Sequence, residues 1–351
     1  MNRRAVATMH DVAAVAGVSP RTVSNVVRGY VHVRPETRER VQRAIDELRY
    51  RPNVSARSLR EGRTGIIALA LPEIAAPYFA ELSDHIQREA ADRGVTLLID
   101  QTGAVREREL LVLEGYRTHI IDGLILSPMA ITLEDLESHD FDLPTVLLGE
   151  RIFDGNVVHV AIDNVGAARE ATQHLLDGGR RRIAAVGADL HLQGPAVSRM
   201  RGYTAALEAA DLPSDPALKV ATGGWFRSSG YRAVDSLLAR GTKVDALFCF
   251  NDVLALAAIR ALSDHGIRVP DDVAVVGWDD IGEAAYSTPS LTSVAPDKGQ
   301  IAQIAVERLL AAVAGEPHPA LEVVCDHRLI VRESSAGGVV RPDVPLDSAD
   351  N

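Results

Sequence analysis

The chain is poor in cysteine and in aromatic residues, with 2 Cys among 351 residues and 4% Phe, Trp and Tyr. Cys249 and Cys325 sit in apolar runs without CxxC or histidine spacing, which argues against a disulfide framework or a cysteine-based metal site. They read as buried free thiols in a reducing compartment. No apolar run approaches the roughly 18 residues of a membrane span, and Met1 to Thr8 carries two arginines but no apolar signal core. A cytoplasmic location without membrane contact is expected. Patterns of the GxSxG, HExxH and phosphate-loop kinds are missing too, so neither catalysis nor a metal or cofactor is expected. Lysine is absent from the first 63 residues, yet these hold thirteen arginines against six carboxylates, a net of +7. The remaining 288 residues hold 24 basic and 42 acidic groups, a net of -18. Such asymmetry describes a basic head that approaches phosphates and an acidic body that does not.

What is present in the head is a run of helix signals. Thr8-Met9-His10-Asp11 has the form of a capping box, and Val12, Val15 and Ala16 share one helical face, which predicts a helix over 9–16. Gly17 suits a left-handed turn, Ser19 a cap and Pro20 the first position of a second helix over 20–28. Two short helices about a glycine turn form a helix-turn-helix, whose second member fits a major groove. With Val23 and Val26 or Val27 turned inward, Arg21, Thr22, Ser24, Asn25 and Arg28 lie near its polar side. Arginine pairs bidentately with guanine and asparagine with adenine. A solvated face is the plainer reading; cap, turn and local charge together favour DNA. Pro35 with Val41, Ala44, Ile45 and Leu48 predicts a third helix, and Pro52 stops it. Asn53 can cap the short segment Val54 to Leu59, which at two turns is marginal alone and should fold against DNA or a partner.

From Gly65 onward short β-branched runs at 65–71, 95–99, 123–126, 144–148, 182–187, 245–250 and 272–278 alternate with amphipathic stretches. The stretches lie near 78–93, 105–117, 165–178, 196–210, 228–239 and 252–264, the rhythm of parallel sheets covered on both faces. Two doubly wound lobes are implied. Ligands of such sheets bind beyond the carboxyl ends of the strands, where Tyr78, Phe79, Ser127, Asp163, Arg199, Trp225, Asn251 and Asp279 are found. Aromatic faces mixed with carboxylate, amide and guanidinium groups suit a sugar. A flat heterocycle could also stack on Tyr78 and Phe79. Asp252 and Asp280 could equally cap helices or brace a turn.

The run Asp11-Val12-Ala13-Ala14-Val15-Ala16-Gly17-Val18-Ser19, followed by Thr22-Val23-Ser24-Asn25-Val26-Val27, resembles the head signature of the LacI/GalR family of transcription regulators, and Tyr50-Arg51-Pro52-Asn53 resembles the start of its hinge. Phe250-Asn251-Asp252, Val275-Val276-Gly277-Trp278-Asp279-Asp280 and Pro289-Ser290-Leu291-Thr292-Ser293-Val294 are similar to recurrent body motifs of that family. The resemblance implies an α/β chain: an all-α helix-turn-helix head at 1–50, a hinge at 51–63, and a body like the periplasmic sugar-binding proteins. Its lobes are expected at 64–162 plus 293–322 and at 163–292 plus 323–335, with 336–351 a disordered tail. It further implies a homodimer on a palindromic double-stranded DNA operator, for whose interface Ala80, Leu82 and Ile86 are candidates, and a small-molecule effector, by default a sugar, whose binding shifts repression. Thr8, Ser19, Pro20, Arg21, Thr22, Ser24, Asn25 and Arg28 then form the DNA face, with Arg21 and Asn25 carrying most base readout because Pro20 stands where relatives place a discriminating residue. Asn53, Ala56 and Leu59 belong to the hinge, Leu59 as the wedge between base pairs. Arg199, Asn251 and Asp279 match effector-hydroxyl ligands and Trp225 an aromatic stacker. Glu150 stands where relatives often place an aspartate.

Overall fold

In the head, three helices form because their ends are written into the chain. The computed structural model describes residues 7–27, 30, 32–50, 63–115, 120–138, 143–149, 157–189, 194–317 and 321–336. Expectations for Arg28, Asn53, Ala56, Leu59, Glu150 and the tail from 337 fall outside these residues. The head helices are α1 (Met9–Ala16), α2 (Pro20–Val27) and α3 (Pro35–Leu48). Thr8 Oγ1 accepts from the Asp11 amide at 3.3 Å while Asp11 Oδ2 accepts from the Thr8 amide at 2.8 Å, closing the capping box. That bonding, chiefly through the Thr8 side chain, holds the Asp11 carboxyl below its ordinary pKa. Gly17 ends α1 at φ 66°, a conformation that costs a side-chain-bearing residue about 1 kcal/mol or more. Val12, Ala16, Val23, Val26, Val41 and Ala44 close a small core between the three helices.

The rest of the chain, from Gly65, forms a separate compact unit. Its first sheet runs in the order β11-β5-β4-β3-β1-β2, built from β1 (Ile66–Leu71), β2 (Thr96–Gln101), β3 (Gly123–Leu126), β4 (Thr145–Leu148), β5 (Val158–Ile162) and β11 (Glu322–Cys325). All its neighbours pair in parallel. The second sheet, ordered β12-β10-β9-β8-β6-β7, uses β6 (Ile183–Val186), β7 (Lys219–Val220), β8 (Ala246–Cys249), β9 (Ala274–Trp278), β10 (Thr292–Pro296) and β12 (His327–Ile330). Only β12 is antiparallel there. The burial of β3, β6, β8 and β9 throughout, and of β1 after Ile66, shows why those runs lack polar alternation: both faces of each sheet are covered there.

The covering helices are α4 (Pro77–Asp92), α5 (Arg106–Leu113), α6 (Leu133–Ser138), α7 (Asn164–Asp177), α8 (Pro195–Ala209), α9 (Arg227–Ala239), α10 (Asp252–Asp264), α11 (Gly282–Tyr286) and α12 (Lys298–Val313). Two expected boundaries shift. Thr292 to Pro296, expected to open the return to the first lobe at 293, pairs as β10 with β9 in the second sheet, so the chain crosses only after Pro296. Val323 to Cys325, expected in the second lobe, pairs with β5 in the first sheet, because its register sets Val323 beside Val160 and Cys325 beside Ile162. Of the dimer candidates on α4, Leu82 and Ile86 are instead 1% and 0% exposed in the body core, where α12 packs on α4, and so are closed to a partner; Ala80 is exposed. Among the described residues, no helix is long and apolar enough to cross a membrane.

Candidate functional site

On the head, α2 presents Arg21 exposed and Thr22, Ser24 and Asn25 half-buried, away from the inward Val23 and Val26. Ser19 Oγ accepts from the Thr22 amide at 3.2 Å and lies 2.9 Å from the Thr22 hydroxyl. Thr8 and Ser19 therefore spend their hydroxyls on helix ends, and Pro20 is the first residue of α2. Backbone amides at such ends suit phosphate oxygens. Arg21 and Asn25 are the longest polar side chains among the described residues of α2.

In the body, the carboxyl ends of both sheets face one cavity of about 330 Å³. Tyr78, Phe79 and Ser127 of the first lobe border it together with Arg199, Trp225, Asn251 and Asp279 of the second. Tyr78 and Phe79 meet edge to face, ring centres 5.3 Å apart at 67°. Arg199, on the first turns of α8, is 6% exposed. Its Nε donates to Asn164 Oδ1 at 2.9 Å and a terminal nitrogen donates to the Phe250 carbonyl. Its guanidinium carbon lies 4.0 Å from the Trp278 ring centre and 5.1 Å from that of Trp225, so the flat cation is held between indole faces. Asn251 caps α10, accepting from the Leu254 amide at 2.8 Å. Asp279 has φ 105° and Asp280 φ 44°, a left-handed pair rare outside glycine, asparagine and aspartate.

One expected ligand is displaced. Asp163 does not border this cavity: its Oδ1 accepts from the Gly166 amide at 2.8 Å as the cap of α7, and it lines a different hollow of about 250 Å³ beside Ser198 and Glu322. A helix start immediately after a strand made its carboxylate a cap. Asp252 is fully buried and accepts from Ser293 Oγ at 2.6 Å and the Ile281 amide at 2.9 Å, so it braces the turn after β9. Burial, reinforced by the neighbouring Asp279 charge, raises its pKa well above the carboxylate range. Asp280 pairs with Arg332 at 2.7 Å.

Sequence reasoning missed Trp278 as a cavity wall, although it ends β9 next to Asp279 as a strand-end residue. It also missed two buried carboxylates that shape the rim. Glu109 Oε atoms accept from the amides of Met129, Ala130 and Ile131 at 2.8–2.9 Å, fixing the loop after Ser127. Asp189 accepts from the Thr222 hydroxyl at 2.9 Å and the Gly223 amide at 2.9 Å, fixing the loop that leads into Trp225. No spacing pattern marks a carboxylate whose partners are backbone amides twenty or thirty residues away.

His159 on β5 shares a hydrogen bond with the carbonyl of Gly149, a residue of the cavity rim, and is 5% exposed. The carbonyl accepts, so Nε2 carries the proton. Burial lowers the His159 pKa from 6.5 to about 4, against a smaller opposite pull from Glu322. The unfolded chain therefore binds this proton below pH 6.5 while the fold refuses it, and stability is lost as pH falls from 6.5 towards 4. Urea unfolding is expected to show His159→Gln, whose amide keeps a donor, losing about 2 kcal/mol less than the wild type between pH 7 and pH 5. Parallel losses in the two proteins would contradict the assignment.

Comparison with known proteins agrees with this geometry. A family model described as bacterial regulatory proteins of the lacI family matches residues 8–53, and one described as a periplasmic binding protein-like domain matches residues 172–335. The HTH-type transcriptional regulator CelR of Thermobifida fusca is 36% identical over 347 residues, covering 95% of this chain and 100% of that protein. A solved structure described as a transcriptional regulator CelR-cellobiose complex is 35% identical with a TM-score of 0.68, covering 93% of this chain and 99% of the other. The lac repressor dimer bound to operator and the anti-inducer ONPF is 26% identical with a TM-score of 0.80, covering 94% and 99%. A basic three-helix head, a body of two parallel-sheet lobes about one cavity and full-length likeness to such regulators lead to one conclusion: the chain belongs to the lacI family of sequence-specific DNA-binding transcription regulators.

Proposed function

We propose that the chain acts as a homodimeric repressor whose grip on a palindromic operator is changed by a small sugar bound between the body lobes. The observation that carries this reading is the buried Arg199 guanidinium, flanked by Trp225 and Trp278 and bordering a cavity that Asn251 and Asp279 also line. A planar fork and a carboxylate recognise neighbouring hydroxyls, and indole faces pack against sugar CH groups. The edge-to-face Tyr78 and Phe79 pair offers a nucleobase no parallel slot, which favours the sugar over a flat heterocycle. Likeness to a cellobiose-bound regulator supports the same class.

Tyr78, Phe79 and Ser127 supply the first-lobe wall, so a ligand that touches both walls favours their closure. Linkage then makes sugar and operator affinities depend on each other, and a coupling of about 1–3 kcal/mol, 5- to 150-fold, suffices for regulation. The only two tryptophans in the sequence, Trp225 and Trp278, both line the cavity, so intrinsic fluorescence reports occupancy directly. Titration with cellobiose, monosaccharides and purine bases, followed by operator anisotropy with each responder, tests the reading. A response to a purine base and to no sugar overturns it.

On the DNA side, Arg21 and Asn25 are the base readers, and Leu59 is the hinge wedge. Arg21→Ala or Asn25→Ala is expected to cost about 1–3 kcal/mol of discrimination at one base pair per half-site. Binding-site selection from a random duplex pool measures this: each variant should relax preference at one symmetric position. Uniform weakening across all sequences would instead mark a phosphate contact.

A further inference from the structure

The turn Asp279–Gly282 is held from two sides. The second lobe supplies four bonds: the Val294 carbonyl accepts from the Asp279 amide at 2.8 Å, Ser293 Oγ from the Asp280 amide at 3.0 Å, Asp252 from the Ile281 amide at 2.9 Å, and Arg332 reaches the Asp280 carboxylate at 2.7 Å. Two more bonds come from first-lobe helices. Glu81 on α4 accepts from the Gly282 amide at 2.7 Å, and Lys298 at the start of α12 donates to the Asp280 carbonyl at 2.8 Å. Glu81 and Lys298 also pair with each other at 2.7 Å, their side chains 32% and 11% exposed. A partly buried ion pair of the first lobe thus grips the backbone of the second beside the effector cavity.

We infer that Glu81 and Lys298 are positioning residues that fasten the first lobe to the Asp279 turn, so that lobe closure and presentation of Asp279 to the ligand are one event. The part concerning the ligand rests on the effector reading of Asp279 given above; the lobe tie does not. Two consecutive left-handed aspartates keep their conformation only while their surroundings over-determine it. Loss of two of the six bonds, both from the opposite lobe, releases the turn on the side that faces closure. In the absence of ligand, the tie biases the lobes towards the closed arrangement, which is where a ligand that touches both walls also drives them.

Acrylamide quenching of the full-length protein without any sugar tests the tie, since Trp225 and Trp278 line the cavity between the lobes and parting of the lobes is expected to open that cavity to the quencher. Glu81→Ala and Lys298→Met are each expected to raise the quenching constant about twofold to threefold at a temperature well below their melting midpoints, as a shift towards the open population requires. Lys298→Arg, which keeps a charged donor, is expected to stay near the wild type. The double variant is expected to match either single variant, because the two side chains act as one tie on the turn. Wild-type quenching in both single variants, additive increases in the double variant, or Lys298→Arg as defective as Lys298→Met would each overturn the proposal. No sugar enters this measurement, so its failure is distinct from failure of the effector reading, which is read by wild-type titration.

Discussion

Arg199→Ala is expected to weaken binding of the effector sugar by about 2–4 kcal/mol, a 30- to 1,000-fold loss, while operator affinity without sugar changes little. The size follows from what the side chain does. Its guanidinium bonds Asn164 and the Phe250 carbonyl and lies between two indole faces, so it is pre-oriented before any ligand arrives. Truncation removes a charged donor and leaves the Asn164 and Phe250 acceptors without that partner in a buried site. Arg199→Lys keeps the charge but loses the flat fork that stacks and spans two acceptors, and is expected to remain at least about tenfold defective. Calorimetric titration is the measurement, because the substitution also alters the fluorescence of the adjoining tryptophans. An unchanged affinity in Arg199→Ala would place the ligand elsewhere.

Much of this architecture is legible in the sequence because its signals are local. Thr8, Gly17, Ser19, Pro20 and Pro35 each perform a chemically specific task at a helix end: the three head helices begin at such residues and α1 ends at Gly17, whereas α3 ends at Leu48 on a left-handed Arg49, φ 48°, before the expected stop at Pro52. Seven of the twelve described body strands are legible for a different reason: they are apolar runs too short for buried helices, whereas β5, β7, β10, β11 and β12 fall outside those runs. Residues as far apart as Tyr78 and Asp279 border one cavity because parallel strands deliver all their carboxyl ends to one edge.

What the sequence conceals is pairwise and distant. Nothing local distinguishes Asp163, which caps α7, from Asp279, which borders the cavity; both follow a strand. The crossing after Pro296 is hidden because β10 first completes its pairing with β9, a register no spacing reveals. Leu82 and Ile86 look like an apolar patch for a partner until α12, more than two hundred residues later, covers them. The same distance hides the Glu81–Lys298 pair. Supporting carboxylates such as Glu109 and Asp189 bond to backbone amides, which every residue type except proline offers, so no residue type marks their partners.

The packing beneath Arg199 gives the largest expected change in stability. Gly202 lies three residues after Arg199 on α8, where that helix crosses α7 closely. A Cβ at this position would come within 2.2 Å of the Val165 carbonyl oxygen and 2.8 Å of the Arg169 amide nitrogen, both backbone atoms that cannot rotate away. In an ordinary helix interior, alanine is better than glycine by about 1 kcal/mol. Here the sign reverses: Gly202→Ala is expected to destabilise the body by about 3 kcal/mol or more, since relief requires separating two whole helices. Thermal and urea unfolding measure the loss, with Ala205→Gly on the same helix as a control expected to cost only about 1 kcal/mol. The separation also has a functional consequence, because Asn164, the first residue of α7, orients the Arg199 guanidinium. Folded Gly202→Ala protein is therefore expected to lose sugar affinity at least about tenfold. A variant as stable as the wild type with full affinity would show that the two helices have room to separate without moving Arg199.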